Sequence, residues 1–310
     1  MTSSATFADE LARFGPSAAA EVFSLDECRS YCRHLARSHY ENFTVASRLL
    51  PAALRQHFYH VYAYCRWADD LADETGDSQR SLELLDWWEA ELSDCYAGRP
   101  RHPVFRALQE TIDTFSIPAE PFRKLLVAFR QDQQVNRYDD FDQLSQYCSN
   151  SANPVGHLVL YLARSYNETS VPLSNMICTG LQLANFWQDV AGDWQRGRIY
   201  LPQSTCRQFG YDESQFARRE FNAAFREALR FEVERAEEIL KLGEPLVYFM
   251  PPELKADIWL FLQGGLKILA HIRRLDYNVW RRRPKIARHE QFALLAGFVW
   301  RRWLHGRSSA

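Results

Sequence analysis

The chain is predicted to fold as an all-α protein, a single-domain helical bundle. Apolar residues recur at intervals of three and four along it rather than two, which is the period of a helix. Val and Ile are sparse beside Ala, Leu, Arg and Glu, so strand formers are scarce. Two stretches, 174–188 and 256–272, are apolar nearly all round, as expected for helices in the middle of a bundle.

Proline and glycine divide the chain into predicted helices. The breaks fall at Pro51, Gly98, Pro118, Pro172, Pro251 and Pro284. The predicted helices cover 25–40, 53–75, 80–97, 102–115, 119–133, 141–166, 172–196, 213–243, 253–280 and 289–304. Ser24 and Ser81 are predicted N-caps, and Thr205–Asp212 is predicted as a loop. We expect residues 1–22 to be a disordered N-terminal segment and 23–304 to form one all-α domain.

Composition excludes several classes of protein. The 37 basic and 39 acidic residues nearly balance, so no broad field favours nucleic acid. The seven cysteines are odd in number and include no Cys-x-x-Cys pair; Cys28 and Cys32 lack a second pair to complete a zinc site. A reduced, cytoplasmic setting fits this usage. The N-terminus is unlike a signal peptide. The chain also has no stretch of eighteen apolar residues, the length needed to span a membrane.

The first acidic cluster lies at the end of the predicted helix 53–75. Asp69 and Asp73 share one face, and Asp70 and Glu74 share the next. Like charges at this spacing repel, and a divalent cation would turn that cost into a gain. Arg66, one turn earlier, can pair with a carboxylate or bind a phosphate oxygen. A solvated acidic helix end is the alternative interpretation.

The second cluster is a polar ladder on an otherwise apolar helix. Its members have oxygen-bearing side chains spaced by three, four and four residues: Gln182, Asn185, Asp189 and Asp193. Residues 194–202 follow at once and add two arginines and a tyrosine, which suit a polyanionic ligand. Mg²⁺ takes carboxylate oxygens and completes its shell with substrate phosphate oxygens, so two such clusters predict a metal–diphosphate site. A buried polar network or an amphipathic edge is the alternative.

Taken together, these motifs resemble the squalene/phytoene synthase family, the head-to-head prenyl transferases with the isoprenoid-synthase fold. Both aspartate motifs match in order, and the resemblance runs from about Tyr31 to Pro284. It includes the segments 39–43, 49–51, 197–202 and 277–284. The resemblance implies a helical bundle with a central cavity, where two aspartate-rich helices face each other and bind Mg²⁺ ions that hold the substrate diphosphate.

Site residues follow from the resemblance by position. It implies metal ligands at Asp69, Asp73, Asn185, Asp189 and Asp193, with Gln182 and Asn185 on the substrate-binding face. Arg66 and Arg198 resemble diphosphate contacts, and Tyr200 and Tyr277 resemble cavity-lining tyrosines near the reacting carbons. His39 and Asn42 occupy the segment that flanks the diphosphate, and Phe43 packs on the substrate chain. For Tyr277 and Phe43 a plain core position is the alternative.

One segment departs from the squalene- and phytoene-forming relatives. Where they usually read Tyr-Cys-x-x-Val-Ala-Gly, this chain reads YCSNSANPVG over 147–156, which puts small polar residues in place of a cavity tyrosine. Together with residues 41–47, the sequence of this segment most resembles the bacterial hydroxysqualene synthase branch of hopanoid biosynthesis. Those enzymes ionise presqualene diphosphate, and water captures the rearranged cation.

The resemblance implies a Mg²⁺-dependent hydroxysqualene synthase with more than one metal ion and no NADPH. A presqualene diphosphate, squalene or phytoene synthase that condenses two prenyl diphosphates is the first alternative, and a non-catalytic helical assembly protein is the second. No nucleic acid is expected as a partner. The tail 292–307 alternates apolar bulk with Arg and Trp, which fits either peripheral contact with the inner membrane face or helix packing.

Overall fold

The computed structural model describes residues 6–18, 21, 23–38, 50–287 and 290, and every regular element in them is a helix. The chain divides into two compact units, Met1–Val135 with His157–Arg164, and Asn136–Gly156 with Ser165–Ala310. The all-α class is therefore confirmed. The extent of a single domain over 23–304 stays a prediction.

The helices of the first unit are α1 Phe7–Phe14, α2 Leu25–Ser38, α3 Ala52–Asp73, α4 Ser78–Tyr96, α5 Pro103–Phe115 and α6 Glu120–Gln131. A further helix, α8 Asn153–Leu162, begins in the second unit and ends in the first. The helices of the second unit are α7 Phe141–Ser151, α9 Ser170–Gln188, α10 Val190–Gln195, α11 Gln203–Phe209, α12 Glu213–Ala217, α13 Ala223–Gly243, α14 Leu246–Phe249 and α15 Lys255–Arg274.

An aromatic core holds α3 in the first unit. Trp67 of α3 stacks on Trp88 with ring centroids 5.3 Å apart, and the Tyr64 hydroxyl donates to the carbonyl of Phe122 at 3.0 Å. His102 meets Trp67 edge-on at 4.5 Å, and burial lowers the pKa of His102 to about 3, so the ring is neutral. This packing fixes the last turns of α3, where the first acidic cluster lies.

The end of α3 is capped from outside the helix. The Ser81 hydroxyl and the Gln133 side-chain amide each donate to the carbonyl of Ala72 at 3.0 Å, which satisfies an otherwise unpaired helix-end group. The prediction of Ser81 as an N-cap is thus wrong, because Asp77 caps α4 through the backbone N–H of Gln79. The prediction for Ser24 is confirmed: its hydroxyl accepts from the Glu27 N–H at 3.3 Å in a capping box.

A helix forms inside the segment predicted to be disordered. Thr6 and Asp9 make a reciprocal capping box at the start of α1. The apolar face of α1 then packs on the core, with Phe14 against Tyr31 at 5.1 Å and Phe7 against Trp67 at 5.5 Å. Residues 1–22 are mostly small or polar, and two aromatic side chains anchor this short amphipathic helix. The composition alone therefore does not indicate it.

In the second unit α9 runs antiparallel to α13 and parallel to α15. Gly180 of α9 lies against Leu240, while Gly243 at the end of α13 lies against Ile177. At the other end, Arg226 near the start of α13 pairs at 2.7 Å with Asp276, which follows α15. The C-terminal ends of α9 and α15 therefore lie at the same end of this bundle, which is where the second acidic cluster is found.

Several predicted helices are interrupted. The span 141–166 breaks at Ala152 and the span 213–243 breaks before Asn222, with Arg219 in the left-handed region. The last described helix ends at Arg274 rather than 280, since Asp276 and Tyr277 both have positive φ. The predicted loop 205–212 is helical to Phe209, because the Thr205 hydroxyl binds the buried Glu232 carboxylate at 2.5 Å and anchors α11 on α13. The predicted helix 289–304 lies outside the described residues except for Glu290.

Close helix contact makes a testable demand on Gly243. A Cβ there would sit 2.9 Å from both the Ile177 backbone nitrogen and the Leu173 carbonyl oxygen, neither of which can move independently of α9. We expect Gly243→Ala to lower the free energy of unfolding by about 1–3 kcal/mol. Gly264→Ala is the control: its Cβ meets nothing closer than 4.0 Å, so the higher helix propensity of alanine should leave stability unchanged or raised by up to about 1 kcal/mol. Equal midpoints for the two variants in urea unfolding would contradict this packing.

Candidate functional site

The first acidic cluster combines one buried carboxylate with two that reach solvent. Arg66 donates to Asp70 through Nε at 2.9 Å and through Nη2, and its Nη1 lies 3.4 Å from Asp69 Oδ2. Asp70 is buried, the Asp69 side chain is 49% exposed, and Asp73 is exposed. Asp70 thus anchors Arg66 beside the face formed by Asp69 and Asp73. Burial raises the pKa of Asp70 to about 7, against the lowering by Arg66.

The second acidic cluster lies across a helix break. The prediction of one helix over 172–196 is wrong at Asp189, which leaves helical geometry with φ −113° and ψ 19° and separates α9 from α10. The backbone bonds Asp189 N–H to Asn185 O (3.0 Å) and Asp193 N–H to Asp189 O (2.9 Å) nevertheless continue through the break. Successive members of the ladder therefore stay about one helical turn apart. Asn185 is exposed, Gln182 and Asp189 are half-buried, and Asp193 is buried.

Two arginines bind the carboxylates of this cluster. Arg196 Nη2 lies 2.6 Å from Asp193 Oδ1 and 3.7 Å from Asp189 Oδ2. Arg283 Nε lies 3.1 Å from Asp189 Oδ1. Burial raises the pKa of Asp193 to about 6, while Arg196 lowers it and Asp189 raises it. Burial and the Arg196 guanidinium thus act on the pKa of Asp193 in opposite directions.

The donor set fits a hard divalent cation. One cationic nitrogen, Arg196 Nη2, already lies within reach of both carboxylates, so their oxygens converge on a position that a positive ion can occupy. Mg²⁺ prefers carboxylate, amide and water oxygens, and Asn185 supplies an amide one turn before Asp189. Among the described residues no group of three or more His, Cys, Asp and Glu side chains could hold a metal alone. A cation at Asp189 and Asp193 would therefore need further oxygens, from water or a ligand, to complete its coordination.

An aromatic pocket adjoins the second cluster. Tyr200 is buried and stacks on Phe186 with centroids 3.7 Å apart and rings 9° from parallel, and Tyr138 lies nearly parallel to Tyr200 at 5.7 Å. Tyr200, Phe186 and Phe216 line a small pocket whose wall also includes Asp193 and Arg198. An acidic and a basic side chain thus lie directly beside aromatic rings in this pocket.

Other predicted site residues lie elsewhere. Tyr277 is half-buried in the left-handed turn after α15, where its N–H donates to the carbonyl of Ile272 at 3.0 Å, and it does not line this pocket. His39, Asn42 and Phe43 lie outside the described residues.

The departing segment 147–156 forms the junction of α7 and α8. Asn153 Oδ1 accepts a hydrogen bond from the Thr179 hydroxyl at 2.9 Å, and both residues are buried. The Ser151 hydroxyl is buried and has no hydrogen-bond partner among the described residues, whereas the Ser149 hydroxyl donates to the Gln146 carbonyl. Ser151 is thus a buried polar group in this segment whose hydroxyl no described residue satisfies.

Sequence reasoning missed two contacts of this site. Arg196 stands three residues after Asp193, and its i,i+3 spacing was a usable signal for the ion pair. No signal marks Arg283, because its contact with Asp189 depends on the fold of the segment that follows α15.

The chain has the isoprenoid-synthase fold: it is similar to the squalene synthase HpnC from Alicyclobacillus acidocaldarius at 43% identity and a TM-score of 0.79, over 82% of this chain and 96% of that one. A dehydrosqualene synthase structure shares the fold at 24% identity and a TM-score of 0.82, over 91% and 98% of the two chains.

The sequence profile of the Squalene/phytoene synthase family matches residues 36–290, so the chain belongs to this family of prenyl-diphosphate synthases of isoprenoid biosynthesis. It is 33% identical to a phytoene synthase of Arthrospira platensis over 82% of this chain and 87% of that protein. It is 29% identical to the 15-cis-phytoene synthase of Synechocystis over 85% and 82%. In the described part of the chain no helix is long and apolar enough to cross a membrane.

Substitution of the acidic clusters separates a cation-binding role from a structural one. We expect Asp69→Asn and Asp189→Asn each to abolish turnover and to leave the thermal midpoint unchanged or slightly higher. The reason is that both carboxylates are partly exposed and their ion pairs contribute at most about 1 kcal/mol. The measurements are a diphosphate-release assay and thermal unfolding of each purified variant.

Glu74→Gln is the matched control for the loss of one negative charge beside the first cluster, because Glu74 is exposed at the end of α3. It should retain turnover. Retained turnover in Asp189→Asn, or a large loss of stability in Asp69→Asn, would instead support a structural role for these carboxylates.

Proposed function

We propose that the chain is a hydroxysqualene synthase, which ionises presqualene diphosphate with the help of Mg²⁺ and lets water capture the rearranged cation. The observation that carries this proposal is the polar junction 149–153, with its buried and unsatisfied Ser151 hydroxyl, in a family member that is 43% identical to a squalene synthase, HpnC. The family membership supports a prenyl diphosphate as substrate.

Departure of the diphosphate is the step that the charged residues would serve. Asp189 and Asp193, with Asn185, would hold a divalent cation in the second cluster, and Asp69 and Asp73 would do so in the first. A bound cation supplies charge neutralisation of the leaving diphosphate. Arg198, on the pocket wall beside Asp193, and Arg66, which Asp70 anchors, are suited to bind non-bridging diphosphate oxygens.

The hydrocarbon part of the reaction calls for an apolar, aromatic surface. The stacked rings of Phe186 and Tyr200 line the pocket beside Asp193 and Arg198, and aromatic rings attract positive charge. Such a wall excludes water from most of the carbocation. A role for Tyr277 near the reacting carbons, and roles for residues 39–43 beside the substrate, stay proposals that only the family resemblance carries.

Water capture requires a polar group that can orient one water molecule. Ser151 offers a hydroxyl that no described residue already uses, and Asn153, two residues later, accepts a hydrogen bond from Thr179 of α9. A hydroxyl product formed in this way needs no reductant, so we propose that NADPH is not required.

We also propose that the protein acts in the cytoplasm, with the tail 292–307 available for peripheral contact with the inner membrane face.

A condensing synthase is the second candidate. It is favoured by the identity of 28–33% to phytoene synthases over at least four fifths of this chain. Such an enzyme would join two prenyl diphosphates rather than hydrolyse one. The same charged residues would serve it, because diphosphate must leave in both reactions.

Product identification separates these candidates. Purified protein is incubated with Mg²⁺ and with presqualene, farnesyl or geranylgeranyl diphosphate in separate reactions without NADPH, and the extracted lipid is identified by mass spectrometry. We expect hydroxysqualene from presqualene diphosphate alone, and none from the Asp189→Asn variant.

Formation of phytoene or of presqualene diphosphate from the C20 or C15 substrate would contradict the proposal and support a condensing enzyme. A non-catalytic assembly role would be supported if no substrate gave a lipid product although thermal unfolding showed that the protein was folded.

A further inference from the structure

Two arginines bind the carboxylates of the second acidic cluster: Arg196, which follows α10, and Arg283, from the segment after α15. Asp189 Oδ1 faces Arg283 Nε at 3.1 Å, and Asp189 Oδ2 faces Arg196 Nη2 at 3.7 Å. Arg196 Nη2 also binds Asp193 Oδ1 at 2.6 Å. Two negative charges are thus balanced locally by two guanidinium groups.

The position of Arg283 is built into the fold. Next to the Asp189–Arg283 ion pair, the Gln188 side-chain amide donates to the carbonyl of Pro284 at 2.5 Å. The two segments are therefore joined at two consecutive residues. Pro284 is buried, and Trp280 packs edge-on against Phe216 with centroids 5.8 Å apart. The segment after α15 is therefore attached to the helix break that carries Asp189.

The carboxylate of Asp189 has little room to move, whereas the side chains of the two arginines have more. A Cβ on residue 192 would sit 2.6 Å from Asp189 Oδ1, so Gly192 lets the carboxylate fold back over α10. The side chains of Arg196 and Arg283 are 54% and 44% exposed, against 20% for Asp189. Exchange of partners at this site would accordingly occur by movement of the arginines.

We propose that Arg196 and Arg283 are exchangeable counterions: they balance Asp189 and Asp193 in the free protein, and they transfer to the diphosphate when a divalent cation takes the carboxylates. This inference rests on the proposed role of Asp189 and Asp193 as cation ligands. A divalent cation added alone would meet two guanidinium groups beside its ligands, and the repulsion weakens its binding. A diphosphate gives those groups a new bidentate partner.

The consequence is reciprocal coupling between cation and diphosphate. Each should raise the affinity for the other by the same factor, because the two binding free energies form one thermodynamic cycle. Neither then occupies the site alone at low concentration, so the cation is assembled on the carboxylates only when a diphosphate is present. A site without the arginines would bind the cation more tightly by itself and gain less from the diphosphate.

The test measures binding and does not depend on turnover. Mn²⁺ is titrated into the full-length protein, with and without inorganic diphosphate, and free Mn²⁺ is followed by electron paramagnetic resonance, with the Mn²⁺–diphosphate complex in buffer subtracted. The variants are Arg283→Gln, which removes the charge and keeps a donor, Arg283→Lys, which keeps the charge, and Arg281→Gln as the matched control. Arg281 is exposed on the same segment, so its substitution removes an equal charge two residues away.

We expect Arg283→Gln to tighten Mn²⁺ binding without diphosphate by about 3–10-fold and to reduce the enhancement by diphosphate by a similar factor. Arg283→Lys and Arg281→Gln should stay within about twofold of the parent protein. The effect should shrink at about 0.5 M salt, since the side chain is partly exposed. Thermal unfolding of each variant establishes that it is folded.

Weaker Mn²⁺ binding in both Arg283→Gln and Arg283→Lys would overturn the proposal, because it would make Arg283 a residue that only orients Asp189. Equal behaviour of Arg283→Gln and Arg281→Gln would overturn it as well. Failure of the proposed function looks different: hydroxysqualene would be missing from the product assay of the parent protein even though Mn²⁺ and diphosphate bind with the expected coupling.

Discussion

The candidate site depends on the way Asp189 interrupts a helix without breaking its hydrogen-bond register. The backbone bends between α9 and α10, yet the Asn185, Asp189 and Asp193 positions stay one turn apart. Gly192 gives the Asp189 carboxylate space to lie against α10, and two arginines then bind it from either side. These two ion pairs offset the cost of placing a half-buried carboxylate at the end of an apolar helix.

The remaining structure of the second unit brings partners to that bend. Close contacts through Gly180, Gly243 and Gly265 pack α9 tightly on α13 and α15, so the ends of α9 and α15 lie together. The left-handed residues Asp276 and Tyr277 end α15 and turn the chain back toward the site. Arg283 and Pro284 then reach the residues at the bend. In the first unit, the stacked tryptophans and the two donors to Ala72 serve the corresponding purpose for the end of α3.

Much of the fold could be predicted because its helices follow their apolar period. The helix predicted over 53–75 is observed at Ala52–Asp73, and the capping role of Ser24 is confirmed. Breaks at Ala152 and Asp189 were missed because the spacing of three and four continues through both of them. Helix α1 was missed because its stability comes from contacts with Tyr31 and Trp67, which lie far along the chain.

Prediction of the site was limited in the same way. The spacing of the polar ladder indicates which side chains share a face, and the structure shows that Asp189 and Asp193 converge on one arginine nitrogen. Spacing alone cannot show that Asp70 rather than Asp69 is the main partner of Arg66, because both lie about one turn from it. Nor can it show that Arg283 reaches Asp189, since that contact depends on the turn after α15.

The most direct test of this account is the position of a metal ion in a crystal of the protein grown with Mn²⁺ and inorganic diphosphate, located by anomalous diffraction. We expect a manganese peak within coordination distance of an oxygen of Asp189 and an oxygen of Asp193. The guanidinium groups of Arg196 and Arg283 should be moved from the carboxylates onto diphosphate oxygens. A diphosphate bound with no metal on these aspartates, and with both arginines still paired to them, would contradict the account.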